Sequence, residues 1–172
     1  MDTSHASTQA IMLAYAQAMF SAQCLEGDLI FLLTFVGQEA AATPEETVQR
    51  ISGAQEQLCR LPLGQLRDRL CRVGDLNERE VERLMEAKEV RNRLAHRFLA
   101  EEYRRICDLT QHQALIEELR RSLRVIEDAI RMVAPRLNGV LEAFVQAAAD
   151  RPDCAQVRSL AEAMLSRRQP EG

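Results

Sequence analysis

At 172 residues the chain has the length of one domain, and a composition 47% apolar and 28% charged lets it bury a full core. Only 4% is aromatic, and 7 glycines and 5 prolines are too few for an all-β fold with frequent turns. Ala, Leu, Glu, Gln and Arg are good helix formers and dominate, so composition points to an all-α protein. The net charge of −4 is uneven: residues 1–59 carry −6, residues 60–105 carry +3 and residues 106–172 carry −1, so only the middle third suits a polyanion.

Five scattered cysteines (Cys24, Cys59, Cys71, Cys107, Cys154) form no C-x-x-C pair, which excludes zinc-knuckle and thioredoxin-type motifs. Most read as small core residues in a reducing cytosol. The first residues lack the basic start of a secretion signal, and Gln17, Gln23, Glu26 and Asp28 interrupt the apolar run from Ala10 to Val36. The expectation is a cytoplasmic protein with no membrane span.

The first predicted element is a long helix from about Thr8 to Gln38, with residues 1–7 frayed. Ile11, Tyr15, Ala18, Ala22, Leu25, Leu29, Leu32 and Val36 form a heptad seam. Phe20, Cys24, Phe31 and Phe35 form a second apolar stripe, so this helix is either central in a bundle or shared with another subunit. Thr43, followed by Pro44, Glu45 and Glu46, opens a second helix that runs to about Cys59. Leu61-Pro62-Leu63-Gly64 breaks it, and a short helix spans Gln65 to Cys71, stopping near Gly74.

Asn77 caps the next main helix, with Glu78 and Glu80 in its first turn. A further helix starts near Thr110, with His112 expected as a solvent or capping residue at its start. Its apolar phase continues through Leu119, Ile126, Val133 and Leu141 across Pro135, so it is read as one kinked helix, although Asn138-Gly139 offers an earlier end. Asp150-Arg151-Pro152-Asp153 starts a last helix to about Arg168, and residues 169–172 fray. The whole is a single-domain, up-down bundle of about five helices over residues 1–172.

The helix from Asn77 carries the most informative residues. On a wheel with about 100° per residue, Val81, Leu84, Met85, Ala87, Val90, Leu94, Ala95, Phe98 and Leu99 fill one continuous apolar arc. Arg91 falls near its middle, Lys88 and Asn92 further along it, and His96 on its border. A guanidinium at a core-facing position is costly unless it meets a carboxylate, a phosphate or a cavity. The bland alternative pairs Arg91 with an acid such as Glu26, makes Asn92 a helix break and leaves His96 at a helix end. The functional alternative is that arginine, amide and imidazole together form a minimal kit for cutting a phosphodiester without a metal.

Arg91-Asn92 followed after three residues by His96, closing an amphipathic helix, resembles the motif of the HEPN superfamily (higher-eukaryote and prokaryote nucleotide-binding). That motif is an Arg, four to six intervening residues and a His, often with a polar residue directly after the Arg. The resemblance extends softly over the chain: a long first helix, then Leu63-Gly64-Gln65-Leu66, the motif helix and long following helices. It implies a metal-independent endoribonuclease without a cofactor, of toxin, defence or RNA-processing type, acting as a homodimer. In the implied site His96 is the general acid or base, Arg91 holds the scissile phosphate and Asn92 orients the phosphate or His96. The implied products are a 2′,3′-cyclic phosphate and a 5′-hydroxyl. Lys88, Arg93 and Arg97 are candidate RNA phosphate contacts.

On an uninterrupted helix Arg91 and His96 point about 140° apart. A two-fold axis that pairs Arg91 of one chain with His96 of another relieves this, which gives the expectation of a composite site at a homodimer interface. Members of the family that partner an antitoxin nucleotidyltransferase carry His-x-Tyr, and the tyrosine is modified. Here the sequence is His96-Arg97-Phe98, and Tyr103 is out of register, so a protein antitoxin acting by that route has no target. The competing reading is a non-catalytic helical module for dimerisation or for nucleotide or protein binding. A phosphate-binding P-loop, a Glu-x-x-His metal pair and a GxSxG elbow are absent from the sequence, and with three histidines (His5, His96, His112) no metal cluster is expected.

Overall fold

A computed structural model of the chain describes residues 3–36, 44–149 and 155–168. Among them every regular element is helical, so the protein is all-α. The helices are α1 (Thr3–Phe35), α2 (Pro44–Cys59), α3 (Leu63–Val73), α4 (Glu78–His96), α5 (Phe98–Ile106), α6 (His112–Ala147) and α7 (Ala155–Arg168), with a 3-10 turn at Leu109–Gln111. That is more than the five or so expected. The difference is the short α3, counted here as a full helix, and α5, which the sequence pattern merges with the helix before it. The expected starts at Thr43 and at Asp150-Arg151-Pro152-Asp153, the end at Gln38 and the tail 169–172 lie outside the described residues.

The described residues gather into two compact units. Of the described residues, the first comprises α1 up to Gly27 and residues 76–131, and the second those at 28–36, 44–75, 132–149 and 155–168. In the first unit, Ile11, Ala18, Ala22 and Leu25 of α1 are buried, as are Leu84, Ala87 and Leu94 of α4 and Leu115, Leu119 and Ile126 of α6. These are the heptad and 3.6-period positions of the sequence, and burying each large aliphatic side chain contributes about 1.5–3 kcal/mol before the entropy of ordering the chain is charged against it. The helix begins at Thr3, so residues 3–7, expected to fray, continue it.

Asn77 closes a capping box on α4. Its Oδ1 accepts from the Glu80 backbone N–H at 3.1 Å, and Glu80 Oε2 accepts from the Asn77 N–H at 3.0 Å. Tyr15 and, eleven residues further along α1, Glu26 both meet the last turns of α4. The Tyr15 hydroxyl donates to the Leu94 carbonyl at 3.2 Å, and its ring stacks on Phe98 at 5.0 Å. At Arg97 the backbone leaves the helical region (φ −126, ψ −28), and α5 starts in a new direction at Phe98. Phe98 and Leu99, read above as part of the motif helix, therefore belong to α5.

His112 corrects another expectation. It is the first residue of α6 but is buried, with Nε2 2.8 Å from the Ile106 carbonyl and Nδ1 against the Ser7 hydroxyl. It ties the start of α1 to the α5–α6 connection.

In the second unit, Leu29, Leu32 and Phe35 of α1 are buried together with Ile51 and Leu58 of α2, Leu63, Leu66 and Leu70 of α3, and Val133, Leu137 and Leu141 of α6. Phe35 meets Phe144 edge to face at 5.0 Å. The short helix expected at Gln65–Cys71 is longer, because Pro62 is extended (φ −67, ψ 154) and α3 begins at once behind it. α6 is continuous through Pro135 and past Asn138-Gly139, since burial of Leu137 and Leu141 beyond it outweighs the missing proline N–H.

The second apolar stripe of α1 divides between the units. Phe35 is buried in the second, whereas Phe20 and Cys24 of the first are exposed.

Candidate functional site

The site lies in the first unit on the last turns of α4. The buried arc of this helix is narrower than its hydropathy suggests: Leu84, Ala87 and Leu94 are buried, but Met85 is exposed. Met85, Lys88, Asn92 and His96 follow one another at helical spacing along the margin of the helix, and Arg91 sits just inside it. His96 is exposed, while Arg91 and Asn92 are half-buried.

Arg91 organises the cluster. Its Nη1 donates to Asn92 Oδ1 at 3.3 Å and faces His96 Nε2 at 3.5 Å. A guanidinium only donates, so Nε2 accepts here in the tautomer that carries its proton on Nδ1. On the other side, Arg91 Nε lies 2.6 Å from Glu26 Oε1 of α1. The N–H is not aimed at that oxygen, which has no directional hydrogen bond of its own; the contact is a close ion pair. Glu26, named from sequence as the partner in the bland alternative, does hold Arg91.

The 140° separation was expected to keep Arg91 and His96 of one chain apart. It does not, because the long arginine side chain lies along the helix and reaches the imidazole. One chain alone assembles arginine, amide and imidazole, with a carboxylate behind them.

The basic residues proposed as phosphate contacts are less available. Lys88 Nζ is 2.8 Å from Glu89 Oε1. Arg97 is exposed, with Nε 3.8 Å from Glu101. Arg93 is committed: its Nη2 bonds Glu102 Oε1 at 2.5 Å, a carboxylate only 8% exposed, and Glu101 lies 3.6 Å from its Nε. Arg105 completes this cluster, donating to Glu102 Oε2 at 2.9 Å and to both Glu118 oxygens at 3.0 and 2.7 Å. The bidentate guanidinium holds the Glu118 carboxyl below the ordinary carboxylate range, against the smaller opposing effect of burial. Glu118 and Glu102 in turn raise Arg105 above the usual arginine value. The network pins α5 to α4 and α6 across the break at Arg97.

Sequence reading missed this network, although a signal was present. Glu102 stands one turn after the buried Phe98, an acid on an apolar stripe, by the same logic that singles out Arg91. His112 carries the same signal, being in phase with Leu115 and Leu119. Among the described residues no group of three or more His, Cys, Asp and Glu side chains is placed to hold a metal ion.

What the arrangement can do follows from its parts. The guanidinium can bind and neutralise a phosphoryl oxygen, the imidazole can move a proton, and the amide can donate to or accept from either. No family model, curated protein or solved structure matches this chain.

Proposed function

We propose that this protein is a HEPN-like, metal-independent endoribonuclease. The observation that carries the reading is the cluster itself: Arg91 Nη1 faces His96 Nε2 at 3.5 Å and bonds Asn92 at 3.3 Å, on the solvent margin of α4.

In the proposed reaction Arg91 Nη1 turns from His96 Nε2 to the phosphate, and the freed lone pair of His96 Nε2 takes the proton of a 2′-hydroxyl. The 2′-oxygen then forms a bond to phosphorus as the bond from phosphorus to the 5′-oxygen breaks. The leaving oxygen takes a proton from the imidazolium or from water, leaving a 2′,3′-cyclic phosphate and a 5′-hydroxyl. Arg91 stabilises the charge on the phosphoryl oxygens, a role worth about 2.7–4 kcal/mol for a single donor in other enzymes. Glu26 fixes the plane of Arg91 so that Nη1 faces the imidazole. Of the three candidate contacts, Arg97 is the most exposed and the one best able to touch the RNA backbone.

The homodimer implied by the family resemblance stays in this reading with its composite pairing of Arg91 of one chain and His96 of the other, beside the contact of the same two groups within one chain. Cys59 and Cys107 are exposed and not in the core as expected, and free thiols at the surface accord with a cytoplasmic location. α1 is long and apolar enough to cross a membrane, but its Ile11, Ala18, Ala22 and Leu25 are spent on the core. Silencing by modification of a His-x-Tyr tyrosine does not fit, because Phe98 has no hydroxyl and is buried against Tyr15.

One observation favours the second reading, a non-catalytic helical interaction module: Glu26 already neutralises Arg91. The test that separates the two is RNA cleavage in EDTA by the purified chain and its His96→Ala and Arg91→Ala variants. The nuclease reading expects cleavage that both variants lose. The module reading expects none from any of the three.

A further inference from the structure

The apolar stripe of α3 runs on beyond its core. Leu63, Leu66 and Leu70 are buried, but Val73, next in the same phase, is 56% exposed. Val73 stands at the edge of a cavity of about 260 Å³, open to solvent and lying wholly within the second unit. Leu33 and Val36 from the end of α1 and Leu58 of α2 give it further apolar walls. Its polar lining consists of Gln57, Arg69 and Arg72, with no acid among them. The two arginines lie three residues apart, on one side of α3. Arg69 has no hydrogen bond or ion pair among the described residues, and Arg72 spends only its Nε, which donates to the Asp68 carbonyl at 3.2 Å. Nearby Arg60 and Arg67, by contrast, are held by Glu56 and Asp68.

We propose that this cavity binds a small amphipathic carboxylate, its hydrocarbon body among the apolar walls and its carboxylate on Arg69 and Arg72. An apolar hollow with a few polar groups on one side is the ordinary form of a small-molecule site, and the apolar walls favour a ligand that leaves water there. Two guanidinium groups without an acid call for an anion, and their planar forks match a carboxylate. Size limits the body: at about 30 Å³ for each water-sized group, the cavity holds about nine, the length of an eight-carbon acid. A monoanion fits better than a phosphate. The arginines stand on the last turns of α3, where the backbone presents carbonyls with partial negative charge and the Gly74 N–H is already spent on the Leu70 carbonyl at 2.7 Å. A phosphate group is best held where a helix begins and N–H groups point outward. Glu26, Arg91, Asn92 and His96 take no part in the lining, so the inference is independent of the ribonuclease reading.

The test is calorimetric titration of the full chain with octanoate, with 1-octanol and octyl phosphate as comparison ligands. The expected result is one saturable site for octanoate with a Kd of about 0.1 mM, and weaker binding of the other two. Arg69→Gln and Arg72→Gln are each expected to raise the Kd for octanoate about tenfold and to leave that for 1-octanol unchanged, a split that a general loosening of the fold would not give. Ala54 also lines the cavity, and Ala54→Leu is expected to weaken both ligands by filling it. Both arginines are exposed, and circular dichroism checks that every variant stays helical. Amide shifts on adding octanoate are expected at Val36, Gln57 and Val73. The proposal is overturned by wild-type protein that shows no saturation up to about 5 mM octanoate, by octanoate binding indifferent to both glutamine variants, or by octyl phosphate binding the tighter. Amide shifts confined to α1 around the exposed Phe20 overturn it as well, since they assign the ligand to that surface.

Discussion

Arg91 Nη1 lies 3.5 Å from His96 Nε2 in the same chain, although the two residues leave the helix on different sides. Glu26 makes this possible by holding Nε at 2.6 Å from behind. A guanidinium tethered at one edge keeps its other edge directed, and for a long flexible side chain that direction is most of what a phosphate site requires.

Glu26→Gln keeps the shape of the contact and removes its charge. The expected outcome is a fall in kcat for RNA cleavage of about tenfold, with KM little changed, because Arg91 is still present but less well aimed. Steady-state kinetics on a defined RNA checks this. A rise in kcat instead would mark Glu26 as a carboxylate that competes with phosphate for Arg91.

Glu102→Ala leaves Arg93 and Arg105 facing a hole. Both arginines retain part of their exposure and can turn toward water, so the cost is smaller than for a fully buried pair, about 2 kcal/mol. Urea denaturation measures it. The same variant should loosen α5, read as faster amide exchange over Phe98–Ile106 than over the first turns of α4.

The stability of the first unit should depend on acid through Glu118. Its folded-state pKa lies below its unfolded one, so its contribution is fully present above the ordinary glutamate value of about 4.3 and is lost as pH falls through the depressed folded value. Arg105 stays charged throughout this window and sets the sign. Denaturation midpoints between pH 6 and pH 3 should fall for the wild type and fall less steeply for Glu118→Gln.

His112→Leu removes an imidazole that bridges Ser7 and the Ile106 carbonyl in a buried position. It should cost about 1–3 kcal/mol through the polar groups left unpaired, while RNA cleavage well below the melting temperature is unchanged. The thermal melt and the cleavage rate are read on the same preparation. Loss of cleavage in a folded His112→Leu protein would move the chemistry to the wrong histidine.

Much of the fold is legible in the sequence because it rests on periodicity. The heptad positions Ile11, Ala18, Ala22, Leu25, Leu29 and Leu32 are all buried, and Asn77 caps its helix by the box its sequence specifies. The break at Arg97 is not legible, because no glycine or proline marks it and the apolar phase passes through. Packing decides it, with Phe98 stacking on Tyr15 and Glu102 reaching Arg93. At the site, the oddity of Arg91 and its pairing with Glu26 could be read from the helical wheel. Its reach to His96 could not, because a wheel records the direction of Cα–Cβ and not the length of a side chain that lies along the axis. Arg93 was assigned to RNA because a wheel shows that a residue faces outward but not which neighbouring helix waits there.

The account turns on His96 as a reacting group. Its most direct test is the cleavage rate of a single defined RNA in EDTA, with the product ends identified, for the wild type and for His96→Ala. The side chain is exposed, so the variant should fold with unchanged stability. The account predicts that the wild type leaves a 2′,3′-cyclic phosphate and that the variant is slower by about 10²–10⁴-fold. A folded His96→Ala protein that cuts at the wild-type rate, or a wild type that cuts no RNA, contradicts it.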